Sequence, residues 1–374
     1  MPLCITQWLT QPRPELGSKH EPHECRAENM LTHFLRLRRG TPESLPQDTT
    51  FVANAQPKIE QPIQTRSSMP GLSAHREQEL WANYIDEVTD WLDMLDNQNH
   101  FKTVLPSMAH TSEHLRLSIL ALSSRQLERK DPNMPYVESL GLYAEAIKLI
   151  NYDLPSMSTT VIASCVLLCV LEMMSSSPNE WARHLDGCAM LLTAAGIHGA
   201  VGGMRQAIFW CFARMDLWRG YLTDSSTKIP TSLWYFPGES MLESLGRFTR
   251  DKHAFDQYAN FAVFICASAL HVISSSNEPT YAQRWDDLSI IMQEWYDNRP
   301  MEMRTVFADL DKAQSVFPIL VFSNPPAISG NQMFHAASLL MLQAKPRQAK
   351  VKGSKSMFWH ARHIVGISAS NRNQ

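Results

Sequence analysis

The segment His184-Leu-Asp-Gly-Cys188 places an imidazole, a carboxylate and a thiol close together in the sequence. In a cleft, such side chains can serve as a base, an orienting group and a nucleophile. On a helix, however, Asp186 lies about 160° around the axis from His184, on the polar face. Cys188 comes one turn after His184, so these two can touch, but no group is indicated to orient them. The spacing therefore favours a buried structural histidine over a catalytic pair.

Two further patterns could bind a metal ion or a nucleotide. His360 and His363 have a spacing that can chelate a metal, but no further ligand is indicated nearby and no HExxH motif is present. The glycine-rich stretch Gly196–Gly203 follows a predicted helix and not a strand. It therefore predicts a helix C-cap at Gly196 and not a dinucleotide-binding loop. No catalytic, metal-binding or cofactor-binding residue is predicted in this chain.

A charged trio, Arg214, Asp216 and Arg219, interrupts a segment that is otherwise apolar nearly all around the helical wheel, as in a buried helix. Asp216 and Arg219 have the spacing of a favourable helical ion pair. Arg214 needs a carboxylate or helix-end carbonyl groups from elsewhere, because a lone buried charge costs several kcal/mol. The polar loop Thr223–Pro230 leads to Trp234, which we expect to hold the loop against the core. This arrangement favours a scaffold over a ligand pocket.

Composition limits the class of protein. The chain has 374 residues, 44% hydrophobic and 19% charged, with a formal net charge of −3, so most of it is expected to fold. This charge is not typical of a nucleic-acid-binding surface. Five of the seven cysteines lie in apolar helical patterns, Cys165 and Cys169 among them. With no CxxC pair and no secretory signal, they are interpreted as buried thiols in a reduced compartment.

The chain divides at about residue 75. Residues 1–75 hold nine of the 22 prolines and are predicted to be a disordered linker, which includes a short basic cluster at Phe34–Gly40. Residues 76–374 are predicted to form an all-α domain of stacked antiparallel helices. The apolar runs at 161–171 and 261–270 are shorter than the roughly 20 residues of a membrane span. The segment Phe317–Phe322 is either a strand or a buried turn of helix.

Helical patterns recur along the second part of the chain. The first begins near Glu77 and continues to Leu95. The others are predicted near residues 112–128, 135–152, 159–175, 180–195, 203–223, 254–274, 281–298, 330–344 and 356–369.

Several of these blocks, in this order, resemble the regulatory domain of fungal zinc binuclear cluster (Zn2Cys6) transcription factors. The Trp181–Gly196 block resembles that family's Trp…His-Leu-x-Gly-Ala pattern, and residues 208–234 resemble its Phe-Trp…Arg-x-Asp…Ile-Pro…Trp pattern. The resemblance covers roughly residues 76–371. The other blocks that carry it are 91–101, 115–131, 142–150, 285–300 and 358–371.

The resemblance implies an all-α regulatory domain of a nuclear transcription regulator that acts on RNA polymerase II target genes and is not an enzyme. It also implies homo- or heterodimers through helices and contact with the transcription machinery. No membrane partner is expected, because the apolar runs are too short to span a bilayer. The residues that match the family motifs are expected to be structural anchors: Trp181, His184, Gly187, Arg214, Asp216, Pro230 and Trp234.

One feature departs from the family pattern. The family reads DNA through a six-cysteine cluster that holds two zinc ions, whereas only Cys4 and Cys25 precede residue 76 here. Zinc and DNA binding are therefore expected only if an upstream cluster is supplied, as in a truncated sequence. The alternative is a stand-alone helical interaction protein that lacks DNA binding and modulates related regulators.

Overall fold

Helices provide almost all of the regular structure. The computed structural model describes residues 72–131, 137–176, 178–235, 255–310, 317–350 and 355–371, with five further residues between 235 and 255. The helices are α1 (Ala74–Asn83), α2 (Thr89–Leu92), α3 (His100–Thr103), α4 (Leu105–Ala109), α5 (Glu113–Lys130), α6 (Val137–Asp153), α7 (Thr159–Met173), α8 (Pro178–Ala194), α9 (Gly203–Thr223), α10 (Phe255–Ser274), α11 (Tyr281–Asp297), α12 (Pro325–Gln343) and α13 (Met357–Ser370). The predicted all-α class is confirmed. The predicted linker and its basic cluster lie almost entirely outside the described residues.

The first amphipathic pattern does not form one continuous α-helix. A π-helical turn, Tyr84–Val88, separates α1 from α2. The buried residues Leu80, Tyr84, Val88 and Leu92 are spaced by four. This spacing exceeds the roughly 3.6 residues of an α-helical turn, and the wider π-helical turn accommodates it. Two short helices, α3 and α4, follow where no helix was predicted, and they connect α2 to α5.

The segment Phe317–Phe322, which the sequence left open as a strand or a buried turn of helix, contains a strand. Strand β2 (Ile319–Val321) pairs antiparallel with β1 (Phe307–Asp309), so that Phe307 faces Val321. Asn371, just after α13, fixes this hairpin. Its side chain accepts a hydrogen bond from the Phe322 N–H at 3.0 Å and donates to the Leu320 carbonyl at 2.7 Å.

One hydrophobic core runs through the described residues. Helix α10 packs against α12, which also packs against α13, while α5 contacts α6 and α7, and α7 contacts α8. Helix α9 joins the two groups through contacts with α7 and α10. Any charge on the inner faces of α9 is therefore enclosed on several sides.

Helix α10 is longer than the apolar run expected from the sequence. With 20 residues it is long and apolar enough, by length and composition alone, to cross a membrane. However, 78% of its most apolar window is buried inside the protein. That burial is typical of a core helix, so α10 is weak evidence for a membrane span.

Candidate functional site

Asp216 is fully buried in α9, and its carboxylate organises the loop that follows the helix. The Lys228 N–H donates to both carboxylate oxygens at 2.8 and 2.7 Å, and the Ile229 N–H donates to Oδ2 at 3.1 Å. Arg219 Nε lies 3.4 Å from Oδ1, and its guanidinium also donates to the Ser226 carbonyl. Burial raises the pKa of Asp216, although these donors favour its charged form. The carboxylate thus has its partners within the fold.

Trp234 joins the end of this loop to the core. Its side chain is fully buried, and the indole Nε1 donates to the Ile229 carbonyl at 3.0 Å. The ring packs edge-to-face on Phe209 and Trp210, with centroids 5.6 and 6.0 Å apart. The Gly199 N–H donates to the Trp234 carbonyl at 2.7 Å, and Trp210 Nε1 donates to the Gly199 carbonyl at 3.0 Å. The loops after α8 and α9 are therefore fixed to the same aromatic cluster.

Close packing explains the glycine in the loop after α8. A Cβ on Gly199 would lie 2.5 Å from the Trp210 ring and 2.8 Å from the Trp234 carbonyl oxygen. Gly196 has a φ of +62°, and the Ile197 N–H donates to the Leu192 carbonyl at 2.9 Å. This geometry confirms the predicted C-cap at Gly196.

Three other motif residues have simpler surroundings. Trp181 is 3% exposed and belongs to the core. Pro230 is exposed, and its carbonyl accepts a hydrogen bond from the Leu233 N–H at 2.9 Å, which begins a short 3₁₀ turn. A Cβ on Gly187 would meet no atom within 4 Å, so close packing does not require a glycine there.

His184 faces a carboxylate and not a thiol. Its Nδ1 pairs with Glu172 of α7, and the Tyr143 hydroxyl donates to the same carboxylate at 2.5 Å. Burial, with Glu172 beside it, raises the pKa of Tyr143, so this hydroxyl stays protonated as a donor. This network joins α6, α7 and α8, and it gives His184 a partner within the fold.

The other two groups of the His-Leu-Asp-Gly-Cys segment point to different partners. Lys228 Nζ lies 2.6 Å from Asp186 Oδ1, which ties α8 to the loop after α9. Cys188 Sγ lies 3.4 Å from Cys169 Sγ. The three groups therefore do not form a catalytic set.

Arg214 is hydrogen-bonded to a helix-end carbonyl group, which is one of the two kinds of partner expected from the sequence. Its guanidinium donates to the Leu92 carbonyl at the end of α2, at 2.8 Å. Next to it, Asp93 accepts hydrogen bonds from the Phe101 and Lys102 N–H groups, each at 2.9 Å. Burial raises the pKa of Asp93 to about 7, against the effect of these donors and of Arg214. Asp93 was not predicted from the sequence, where its signal is the polar turn that follows it.

The pair His360 and His363 is joined by a third histidine from α12. His335 is 2% exposed, and its Nδ1 lies 3.0 Å from His360 Nδ1. His363 Nδ1 lies 2.8 Å from the Trp359 carbonyl, to which it donates. Despite this cluster, no group of three or more metal-binding side chains in the described part of the chain could hold a metal ion. Burial lowers the pKa of His360 to about 4 and also lowers that of the other two.

This histidine cluster predicts a loss of stability in mild acid. Unfolded histidines bind protons near pH 6.5, whereas folded His360 does so near pH 4. Between these values the unfolded chain binds more protons than the folded chain, so the free energy of unfolding falls as the pH falls. From pH 7.5 to 5, His360 alone should contribute a loss of about 2 kcal/mol. Urea unfolding at a series of pH values measures it.

The matched variant is His360→Gln. Between pH 7.5 and 5, its free energy of unfolding should fall by about 2 kcal/mol less than that of the wild type. Asp93 acts in the opposite direction, because its raised pKa makes the folded chain bind more protons between about pH 4 and 7. Because Asp93 is present in the wild type and in the variant, its contribution cancels when their pH profiles are subtracted. Parallel pH profiles for the two chains would contradict the prediction.

In this helical protein, the side chains of Asp216, His184, Arg214 and Trp234 have partners within the fold. The family model of the fungal specific transcription factor domain matches residues 79–345, well over half of the chain. The chain belongs to this family, which makes it a transcription regulator by class. No curated protein and no solved structure gives a significant match.

Proposed function

We propose that this chain is the regulatory domain of a fungal Zn2Cys6-type transcription factor, which acts in the nucleus on RNA polymerase II target genes. The observation that carries the proposal is the family match over residues 79–345. The geometry supports it, because Asp216, His184 and Arg214 all find partners inside the fold. A non-enzymatic role fits these contacts. The transcription machinery, and a second subunit bound through helices, are the partners we propose.

Contact with DNA is proposed only if a zinc cluster is supplied upstream of these residues. The net charge of −3 gives little electrostatic attraction for phosphates. Only Cys4 and Cys25 precede the helical region, so a six-cysteine cluster is not among these residues. The two zinc ions of the family cluster are accordingly not assigned to any residue of this chain.

The test is to tether the chain to a reporter gene. The full chain is fused to an unrelated DNA-binding domain and expressed in a fungal cell that carries the matching sites. We expect a several-fold change in transcription relative to the DNA-binding domain alone. Asp216→Ala should abolish the change, whereas Asp86→Ala, an exposed acidic position, should retain it. A folded wild-type fusion that leaves transcription unchanged would refute the proposal.

The second candidate is a stand-alone interaction protein, favoured by the same charge and cysteine count. It predicts that the chain alone binds no DNA and alters transcription only when a related regulator is co-expressed. A gel-shift assay with the full chain and a pool of random duplexes tests this directly. Sequence-specific binding by the chain alone would eliminate the interaction-only function.

A further inference from the structure

Two buried thiols meet at the contact between α7 and α8. Cys169 on α7 and Cys188 on α8 are 2% and 5% exposed, and their Sγ atoms are 3.4 Å apart. Cys165 lies one turn before Cys169 on the same helix. Cys266, by contrast, lies in α10, and its thiol donates to the Met333 carbonyl at 3.0 Å. The pair thus places two oxidisable sulfurs on neighbouring helices that already pack together.

We propose that Cys169 and Cys188 form an oxidation site at which a two-electron thiol oxidant produces a disulfide between α7 and α8. The two sulfur atoms form the new bond, and each thiol loses its hydrogen. The two electrons and two protons reduce the oxidant. An azo compound becomes a hydrazine, and a small disulfide is released as two thiols.

Burial sets the rate of this reaction. The thiolate is the attacking species, and the hydrogen bond with the Cys188 thiol, together with burial, raises the pKa of Cys169, so the native thiol reacts slowly. A small oxidant reaches the pair when α8 separates briefly from α7. The site therefore responds to sustained oxidation and to the local stability of α8 more than to brief exposure.

The disulfide would fix a contact that includes a family-motif residue. His184 lies one turn before Cys188, and its partner Glu172 lies three residues after Cys169. The cross-link and the ion pair thus connect the same two helices, about one turn apart. Oxidation would lock α8, and with it the Asp186–Lys228 contact to the loop after α9. This inference is independent of the proposed function.

The sequence allows a direct measurement. The folded full chain is incubated with diamide, the reagent is removed, and free thiols are alkylated in denaturant before trypsin digestion. Cleavage after Lys148, Arg183 and Arg205 places Cys169 in peptide 149–183 and Cys188 in peptide 184–205. Cys4, Cys25, Cys211 and Cys266 fall in other peptides. We expect these two peptides to be joined, with Cys165 alkylated, at a mass two hydrogens below the sum of peptide 184–205 and the singly alkylated peptide 149–183.

Variants identify the sulfur atoms. The cross-link should persist in Cys165→Ala, which leaves Cys169 in the same peptide, and disappear in Cys169→Ala and Cys188→Ala. In thermal unfolding without reductant, oxidised wild-type protein should melt several degrees above reduced protein. This shift should be absent in Cys188→Ala and present in Cys211→Ala, a buried cysteine in α9.

Two results would overturn the proposal. One is recovery of Cys169 and Cys188 as alkylated thiols after an oxidation that fully converts a reference dithiol. The other is a cross-link that forms at wild-type yield in Cys169→Ala, since it would assign the bond to Cys165.

Discussion

Replacing Trp234 with alanine is expected to lower the free energy of unfolding by about 3–5 kcal/mol. The side chain is fully buried and lies against Phe209, Trp210 and Phe264, with the Phe264 centroid 5.9 Å away. Truncation leaves a cavity among these rings, and they belong to helices that cannot close it without shifting. It also leaves the Ile229 carbonyl without the indole donor. Urea unfolding followed by circular dichroism measures the change.

Two controls separate cavity formation from the lost hydrogen bond. Trp234→Phe retains an aromatic ring and loses only the Nε1 donor and part of the volume, so its cost should be clearly smaller. Leu233→Ala changes the preceding residue, which is 37% exposed, and should cost about 1 kcal/mol or less. Equal losses for Trp234→Ala and Leu233→Ala would show that the aromatic cluster does not anchor the loop.

Most of the helical framework could be predicted from hydrophobic periodicity. Helix α9 begins and ends where the pattern placed it, at residues 203 and 223. Helix α12 begins five residues earlier than expected, at Pro325. The signal was present, because Asn324 caps the helix by accepting a hydrogen bond from the Ala327 N–H at 2.8 Å, and two prolines occupy the first turn. For α12, the capping residues indicate the start of the helix more accurately than the apolar pattern does.

The contacts that define the candidate site were only partly predictable. Spacing along one helix gave the Asp216–Arg219 pair, because both partners lie on α9. Spacing also indicated that Arg214 needs a partner. It could not identify the Leu92 carbonyl as that partner, because Leu92 lies 122 residues away. His335 was missed for the same reason, since it reaches His360 only when α12 packs on α13. Sequence spacing identifies neighbours within an element, and tertiary packing supplies the others.

Asp216→Ala is expected to cost about 3–5 kcal/mol, because it removes one partner of a buried charged pair. Arg219, itself 5% exposed, would lose its carboxylate while keeping its charge. The N–H groups of Lys228 and Ile229 would lose their acceptor as well. The loop after α9 should then separate from the helix. Urea unfolding measures the stability, and limited proteolysis within residues 223–230 reports the loop.

The matched control and a double-mutant cycle determine whether the carboxylate acts through Arg219 or through the loop. Asp86→Ala, on the exposed face of the π-helical turn, should change stability by less than about 0.5 kcal/mol. Arg219→Ala alone should cost less than Asp216→Ala, because the two N–H donors still neutralise part of the carboxylate charge. The double variant should cost less than the sum of the single variants, with a coupling of about 0.5–3 kcal/mol. Strictly additive losses would show that the pair is not coupled and that Asp216 stabilises the fold through the loop N–H groups alone.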